Sequence, residues 1–510
     1  MEERGGRMYK PLLEEAKSIA DSKQYDLVPL STEMFADMTT PIDVFKKLKK
    51  VSRHCFILES ANSVNENTKT WGRYTFLGFD PSLEITCLSG EMTTHEWSNN
   101  TEEKKTFATD NPNKHIQEVL DRHKGVKLDY LPPFTGGLVG YFAYDFAKYS
   151  EPALDLDTVT STADTTDRFN DVDLMLFDKV IAFDHYKQKI VIIVNIRTDN
   201  LEAEYEKGIK QLERLKKLIC SGEHEQMPIA ELKSEFKALF TKDGYCQMVE
   251  KAKDYINKGD ITQVVLSNRY EADFEGSIFD TYRVLRTINP SPYMFYFSGT
   301  NQEIAGASPE TLVKLHNGRL STFPLGGTRR RGATDEEDIA LEKELLADKK
   351  ELSEHDMLVD LGKEDLGKVS KTGTVKVEKY KTILRFSHVM HIGSTVTGEI
   401  REDKTGLDAI NAILPAGTLS GAPKVRAMQI INEQEQCKRG IYGGAIGYLD
   451  FTGNMDTCIA IRIVYRKNNK VFVRSGAGVV AESKPELEYQ ECVNKSMAVM
   501  NALKQSSGGI

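Results

Sequence analysis

The sequence predicts an α+β sandwich, and three observations lead to this class. Strand-like and helix-like segments are mixed along the chain rather than strictly alternating. Several neighbouring strand patterns are separated by short polar turns, which is typical of antiparallel hairpins. Regular βαβ alternation, which a doubly wound parallel sheet requires, is scarce. We therefore expect sheets built from hairpins, with helices packed against them.

The first 200 residues supply strands and short helices. "DVFKKLKK" after Pro41 predicts a helix, and "HCFILES" at 54–60 predicts a strand. "RYTFLGFDPSLEIT" has strand composition with a turn at Asp80, and the glycine-rich "FTGGLVGYFAYDF" suits a tightly packed strand. "LMLFDKVIAFDH" and "KQKIVIIVNI" flank a polar turn and predict a hairpin.

A long helix marks the boundary between two parts of the chain. Apolar residues at helical spacing predict this helix from Leu201 to Ile219, and "CSGEHEQMP" then breaks the pattern. We therefore predict an N-terminal domain over 1–220, a linker over 221–236 and a C-terminal domain over 237–510.

The C-terminal part begins with a predicted helix, and a strand follows it. "ITQVVLSNRYEA" alternates as a strand and puts Gln263 on the same face as Ile261 and Val265. "FDTYRVLRTIN" predicts a helix that ends at Pro290.

Two capping boxes are expected in this part. Residues 334–361 form a long charged helical region, and Thr334 with Glu337 fits a capping box at its start. Ser483 with Glu486 fits a second one, at the start of the C-terminal helix.

One segment between these helices raises a chemical question. A strand pattern loses almost all side-chain bulk at 475–478, "SGAG", and Glu486, Glu488 and Glu491 follow soon after. Glycines let backbone N–H groups approach a ligand closely. Carboxylates nearby are typical ligands of a hard cation. Together they indicate an anionic substrate held partly through a metal ion.

Composition sets limits on function. The 510 residues carry a net charge of −9 and no long basic run, which argues against a nucleic-acid partner. The seven cysteines include no C-x-x-C pair, as expected for reduced thiols rather than a disulfide framework or a zinc site. We find no apolar signal segment and no apolar run long enough to span a bilayer. These features predict a cytoplasmic protein without a membrane partner.

Eight ordered motifs together carry a family resemblance. They are "SPE" at 308–310, "PLGGTRRRG" at 324–332, "ELSEHDMLVDL" at 351–361, "HVMH" at 388–391, "LPAGTLSGAPK" at 414–424, "GIYGGAIGYLD", "AIRIVYR" and "RSGAG…EYQECVNK". The chain resembles the chorismate-utilising enzymes over roughly residues 240–503, and more loosely before that. The resemblance implies a large β-sandwich with outer helices and interleaved N-terminal and C-terminal halves. It also implies that 237–510 is the catalytic domain and 1–220 carries a tryptophan-binding motif.

The resemblance assigns roles residue by residue. It implies that Glu354 and Glu491 hold Mg²⁺, which binds the ring carboxylate of the substrate. The implied substrate contacts are Gly327, Thr328, Tyr442, Arg462, Gly476, Ala477 and Gly478. The implied catalytic residues are His391, as general acid for loss of the ring hydroxyl, with Glu310 and Thr418 as positioning neighbours. His388 and His355 are expected to be structural.

Two positions select a reaction within the family. Relatives that add water carry a lysine base where this chain has Gln263, and an amide cannot take a proton from water. Aminodeoxychorismate synthases have a lysine where this chain has Gly326. The resemblance therefore implies an ammonia-using enzyme that converts chorismate to anthranilate and pyruvate. Aminodeoxychorismate formation, or a non-catalytic homologue that binds chorismate or tryptophan, stays open as an alternative.

The source of ammonia points to a partner. The chain has no "G-x-C-x-G" nucleophile motif with a downstream histidine pair, so we expect no glutaminase site within it. The resemblance implies a separate glutamine amidotransferase subunit, in a heterotetramer, that delivers ammonia to the site.

A second ligand site is implied in the N-terminal half. "ILESANS" at 57–63 matches the family's tryptophan-feedback motif, and "NPSPYMFYF" at 289–297 matches the opposite wall of that pocket. An aromatic and methionine wall suits an indole ring. Ordinary core packing remains the alternative. The implied effector-binding residues are Leu58, Glu59, Ser60, Pro292, Tyr293 and Met294.

Overall fold

The computed structural model describes residues 9–60, 72–98, 101–154, 156, 169–300, 302–385 and 389–509. The described helices, in chain order, are α1 (Leu13–Asp21), α2 (Pro41–Val51), α3 (Pro112–Asp121), α4 (Leu201–Ser221), α5 (Lys242–Asn257), α6 (Phe279–Ile288), α7 (Asp335–Ala347), α8 (Lys349–Gly367), α9 (Gly406–Ile413), α10 (Lys424–Glu435) and α11 (Pro485–Ser506). Two short 3₁₀ helices span Tyr144–Tyr149 and Gly417–Leu419. No helix in the described part of the chain is long and apolar enough to cross a membrane.

The strands are short and numerous. In chain order they are β1 (Leu27–Phe35), β2 (Cys55–Glu59), β3 (Tyr74–Phe79), β4 (Leu83–Leu88), β5 (Glu91–Ser98), β6 (Thr101–Ala108), β7 (Gly137–Phe142), β8 (Val172–Phe177), β9 (Lys179–Asp184), β10 (Lys189–Arg197), β11 (Glu231–Leu232), β12 (Lys237–Ala238), β13 (Gln263–Glu275), β14 (Tyr293–Ser298), β15 (Gln302–Ser308), β16 (Thr311–His316), β17 (Arg319–Thr322), β18 (Leu325–Arg330), β19 (Lys376–Arg385), β20 (Val389–Glu399), β21 (Gly421–Ala422), β22 (Ala445–Asp450), β23 (Met455–Ile459), β24 (Ile463–Lys467) and β25 (Lys470–Val479).

The strands form two large sheets, and each sheet takes strands from both halves of the chain. The first runs β1-β10-β9-β3-β2-β14-β15-β24-β25-β13-β11, with β12 and β21 also paired to β13. The second runs β18-β20-β17-β16-β23-β22-β7-β8-β4-β5-β6, with β19 paired to β20. The halves join at the antiparallel pairs β2–β14 and β22–β7. The predicted α+β sandwich with interleaved halves is confirmed, while the division into domains stays a prediction.

The main hydrophobic core lies between the two sheets. Ile304 and Phe472 from the first sheet and Leu138 and Ile446 from the second belong to this one buried cluster. A second cluster covers the other face of the first sheet, where α1, α2, α4, α6 and α11 pack. Helices α7 and α8 pack on β18 and β20 at the end of the second sheet. The helices therefore lie outside the sandwich, as expected.

Two local expectations need correction. The charged region at 334–361 is not one helix, because the backbone of Asp348 is extended and its side chain accepts hydrogen bonds from the N–H groups of Lys350 and Glu351. An aspartate that caps a second helix in this way ends the first. The capping box at Ser483 was wrong. Helix α11 has Lys484 as its N-cap, and Ser483 Oγ instead accepts a hydrogen bond from Val480 N–H.

Candidate active site

The strand end that lacks side-chain bulk, at 475–478, belongs to β25, which lies between β24 and β13 in the first sheet. Gly476 pairs with Ser267 and Gly478 with Val265, in the antiparallel ladder between β25 and β13. A Cβ atom on Gly476 would lie 2.6 Å from the carbonyl oxygen of Leu266 and 3.0 Å from the hydroxyl of Tyr442. A side chain at 476 would therefore clash, and the Tyr442 hydroxyl lies directly against this glycine.

Helix α11 is fastened to this strand at the residue next to Glu491. The Ser475 hydroxyl donates to the carbonyl oxygen of Cys492 at 2.7 Å, and the Cys492 thiol donates to the carbonyl oxygen of Ser475 at 3.1 Å. One turn later, Lys495 Nζ lies 2.6 Å from Glu491 and 3.2 Å from the carbonyl oxygen of Gly476. Glu491 is therefore held at the edge of the Gly476–Gly478 segment.

Glu354 approaches Glu491 from helix α8. Burial raises the pKa of Glu354, and the neighbouring carboxylates of Glu351 and Glu491 raise it further. The carboxylates of α8 and α11 are therefore within electrostatic reach of one another. Glu488, one turn before Glu491, also has its pKa raised, first by burial and then by Glu491.

This donor set fits Mg²⁺. Oxygen ligands are the ones this ion prefers, and it usually takes only one or two carboxylates from the protein, with water or substrate completing the shell. Among the described residues, no three His, Cys, Asp or Glu side chains are already gathered closely enough to hold an ion by themselves. Glu354 and Glu491 would hold it from two sides, so a substrate carboxylate has a place in the shell.

Arg462 is the cation of the site. Its backbone has φ of +54°, in the left-handed region, at the residue before β24. Burial lowers its pKa, while Tyr442, Glu310 and Glu491 partly offset that effect. The structure gives its guanidinium no ion pair or hydrogen bond to any residue within the described ranges. A partly buried arginine without a counter-ion can donate two parallel hydrogen bonds to a carboxylate.

Glu310 has the properties of an acid that is protonated near neutral pH. Burial raises its pKa to about 7, although the Thr418 hydroxyl, the Arg462 cation and the Lys495 cation act in the opposite direction. Thr418 Oγ1 donates to Glu310 Oε1 at 3.1 Å. The carboxyl therefore keeps a fixed orientation. Because its pKa is close to neutral pH, it can both hold and release a proton under working conditions.

His391 lies across the second sheet from Glu310. It pairs with Thr328 in the β18–β20 ladder, and its Nδ1 lies 3.0 Å from both the Thr328 hydroxyl and the Gly327 carbonyl oxygen. A carbonyl oxygen only accepts, so Nδ1 carries the proton. Burial lowers the pKa of His391, and Arg462 and Lys495 lower it further. The ring is therefore mostly neutral near pH 7, which is less suited to proton donation than the carboxyl of Glu310.

The two positions predicted to select the nucleophile are Gln263 and Gly326. A Cβ on Gly478 would be 3.0 Å from Gln263 Nε2, so the amide of Gln263 reaches the substrate cradle. A Cβ on Gly326 would lie 3.2 Å from Nδ1 of His355 and 3.3 Å from Leu358. Neither position carries an amine.

Contacts and electrostatic effects thus link the predicted catalytic, substrate and metal residues to one another, and their roles stay predictions. His355 is fully buried, and its Nε2 is 2.6 Å from Ser394 Oγ, which agrees with a structural role. His388 lies outside the described residues.

Two functional features escaped the sequence analysis. Lys495 links Glu491 to Gly476, and its spacing of four residues from Glu491 on one helix was the available signal. A fully buried network of ion pairs and hydrogen bonds also supports the Gly476–Gly478 segment. Glu435 is 2.6 Å from both Arg439 and Arg474, and Ser267, the strand partner of Gly476, donates to it through N–H and Oγ.

A separate cavity lies between the N-terminal and C-terminal strands. It encloses about 110 Å³, and all six predicted effector residues line it: Leu58, Glu59, Ser60, Pro292, Tyr293 and Met294. Tyr74, Phe76 and Tyr448 add aromatic walls. Glu59 is held by Tyr282 and Arg286. The buried Ser60 Oγ has no hydrogen-bond partner among the described residues, so a bound ligand could supply one.

Comparison with known proteins gives the class of protein to which this fold belongs. The chorismate binding enzymes match residues 53–501, and the chain belongs to this family. Curated relatives named anthranilate synthase component 1 come from Acetivibrio thermocellus, 44% identical over 98% of this chain and 99% of the relative, and Aquifex aeolicus, 44% identical over 96% and 97%.

Solved structures agree. Anthranilate synthase component I from Streptococcus pneumoniae superposes with a TM-score of 0.72 at 37% identity, covering 84% of this chain and 92% of that one. The menaquinone-specific isochorismate synthase of Escherichia coli has a TM-score of 0.67 at 18% identity, over 96% and 98%, which shows a shared fold.

Proposed function

We propose that this chain forms anthranilate and pyruvate from chorismate and ammonia, as the large subunit of an anthranilate synthase and in the first step of tryptophan biosynthesis. The observation that carries the proposal is the partly buried Arg462 guanidinium, which has no ion pair or hydrogen bond among the described residues and lies within electrostatic reach of Glu310, Glu491 and Tyr442. Tyr442 in turn touches Gly476 of the Gly476–Gly478 cradle. A doubly charged ring acid matches this arrangement, because one carboxylate suits the arginine and cradle. The other suits a cation held by Glu354 and Glu491.

The chain's own residues account for the first step. Ammonia forms a C–N bond to the ring while the ring C–O bond breaks, and the Glu310 carboxyl gives its proton to the departing hydroxyl, which leaves as water. Thr418 orients that carboxyl. Neutral His391, fixed by Gly327 and Thr328, positions the leaving group. Bound Mg²⁺ would neutralise the ring carboxylate and anchor it.

The second step restores aromaticity. The ring loses a proton as the enolpyruvyl C–O bond breaks, and the released enolpyruvate takes up a proton to become pyruvate. The ring is left as anthranilate. The amide of Gln263 beside Gly478 supports ammonia rather than water as nucleophile, since an amide cannot act as a base toward water. Aminodeoxychorismate formation is the second candidate, but Gly326 offers no lysine for it.

The partner is proposed on chemical grounds. All seven cysteines are free thiols, and five of them are buried. The exposed Cys220 and the half-buried Cys246 lie within helices α4 and α5 and carry no nucleophile motif of a glutaminase. A glutamine amidotransferase subunit would therefore supply ammonia, in a heterotetramer. Free thiols also agree with the reducing cytoplasm as the location.

The effector is proposed to be tryptophan, acting as a feedback inhibitor from the cavity at Ser60. An indole suits the walls formed by Tyr74, Tyr448 and Met294, and Ser60 Oγ can bond the amino-acid head.

The proposal is tested on the purified chain. Chorismate, Mg²⁺ and an ammonium salt should yield anthranilate, followed by its fluorescence, without any added lyase, and tryptophan should lower the rate. Accumulation of aminodeoxychorismate instead would support the second candidate. Failure to consume chorismate under these conditions would contradict both and leave a binding homologue.

A further inference from the structure

Tyr293 belongs to two networks at once. Its ring lines the effector cavity, and its hydroxyl lies 2.8 Å from both Thr311 Oγ1 and Asp456 Oδ1. Asp456 also lines the cavity and is ion-paired with Lys314 at 2.8 Å. The phenol is a neutral donor, because burial and the nearby Asp456 raise its pKa. A ligand that fills the cavity therefore contacts Tyr293, whose hydroxyl is hydrogen-bonded to Thr311.

Thr311 does not line the cavity, but it follows Glu310 directly in the chain. The backbone around Glu310 is tied to the neighbouring strand, since Ile459 N–H donates to the Glu310 carbonyl at 2.9 Å and Ser308 Oγ donates to the Ile459 carbonyl at 2.7 Å. The preceding residue, Cys458, lines the cavity. Within one short segment, the Glu310 carboxyl thus lies in the active site, and the next side chain, Thr311, is hydrogen-bonded to Tyr293 in the cavity wall.

We propose that Tyr293 and Thr311 are positioning residues for Glu310, and that a ligand in the effector cavity inhibits the enzyme by changing this hydroxyl contact. The inference rests on the proposed function, both for tryptophan in the cavity and for Glu310 in catalysis. It specifies the route of regulation. A small displacement of the phenol removes the Thr311 contact, and the Glu310 carboxyl then loses its alignment with Thr418 and the substrate.

The proposed route predicts that tryptophan and chorismate change each other's affinity, and this change can be measured. If two ligands affect each other through one element, each changes the affinity of the other by the same factor. Omitting ammonia stops turnover, so the tryptophan Kd can be measured by calorimetry with and without saturating chorismate and Mg²⁺. In the unaltered chain, chorismate should raise the tryptophan Kd by about fivefold or more.

The decisive variant is Thr311→Val, which keeps shape, removes one hydroxyl and leaves the cavity lining intact. In the absence of chorismate it should bind tryptophan with nearly unchanged Kd. Saturating chorismate should then change that Kd by less than about twofold. Its kcat should drop several-fold, and its KM for chorismate should rise toward the value that the unaltered chain shows with tryptophan bound. Tyr293→Phe should give the same loss, and the double variant should show little additional loss.

Tyr448→Phe is the matched control. It removes a hydroxyl from the same cavity, and that hydroxyl has no hydrogen bond to any described residue, so this variant should retain the chorismate effect. Retention of the full effect by Thr311→Val would overturn the inference while leaving the proposed function intact. Absence of tryptophan binding by the unaltered chain would overturn the proposed effector and this route with it.

Discussion

Replacing Glu310 by glutamine tests the assignment of the proton donor. The amide keeps the size of the side chain and an oxygen that can accept from Thr418, but it has no proton to give. General acid catalysis typically contributes a factor of about 10² to 10⁴, so kcat should fall by about that factor. Binding of chorismate should change little, because Arg462 and the cradle are untouched.

The pH profile gives the sharper magnitude. With a pKa of about 7, Glu310 is about half protonated at pH 7, whereas an ordinary glutamate would be protonated to about 0.3%. Because the pKa is raised, the acid form is present at low pH and is lost as pH rises. Its fraction falls from about nine-tenths at pH 6 to about one-tenth at pH 8, so kcat/KM should fall about tenfold between them.

The assay is the initial rate of anthranilate fluorescence, from about pH 5.5 to 9, with the concentration of unprotonated ammonia held constant. Glu303→Gln is the matched control, since Glu303 is also buried but is bonded to Ser277 and Ile278 outside the site. The Glu303→Gln variant should keep the fall in kcat/KM between pH 6 and 8. A flat profile between pH 6 and 8, or a Glu310→Gln variant with near-normal kcat, would refute the reasoning.

Five further substitutions probe the rest of the active site and the effector cavity. Glu491→Gln should weaken direct binding of Mg²⁺ or Mn²⁺ by about tenfold or more, since it removes one of two carboxylates; unchanged metal titration would exclude this ligand. Gly476→Ala places a Cβ 2.6 Å from a backbone carbonyl and should raise the KM for chorismate about tenfold. Gly478→Ala places its Cβ against only the end of a flexible amide, so it should raise the KM for chorismate less. A larger increase for Gly478→Ala than for Gly476→Ala would contradict the proposed backbone cradle. Gln263→Lys should introduce some addition of water, detected as a hydroxylated product by mass spectrometry, and its complete absence would count against the role of Gln263. Ser60→Arg should fill the effector cavity and abolish inhibition by tryptophan, so inhibition at the normal concentration would disprove that site.

Much of the site could be predicted because its signals are local. The loss of side chains at 475–478 and the carboxylates that follow are visible in a few consecutive residues, and the structure explains the loss by the clash at Gly476. Fold class was predictable for a similar reason, since hairpins such as β9–β10 and β24–β25 join neighbours in the chain.

The remainder depends on contacts between distant residues. Arg474 resembles any strand residue, and only the folded chain shows it fully buried beside Glu435. The contact of Tyr293 with Thr311 and Asp456 joins three separate strands. The helix break at Asp348 was missed because its neighbours all favour helix, and the cap at Ser483 because a serine near a helix start can also bond the preceding turn.

The interleaved sheets have a consequence for how the chain is made. Leu58 pairs with Phe295, 237 residues later, and Tyr141 pairs with Ile446, 305 residues later. At about 5 to 20 residues per second, a ribosome needs about 10 to 60 s to supply these partners. During that interval β2 and β7 are open edges that invite aggregation, so a chaperone should shield them. Fragments separated within 221–236 should each be unstable alone and should assemble when translated together.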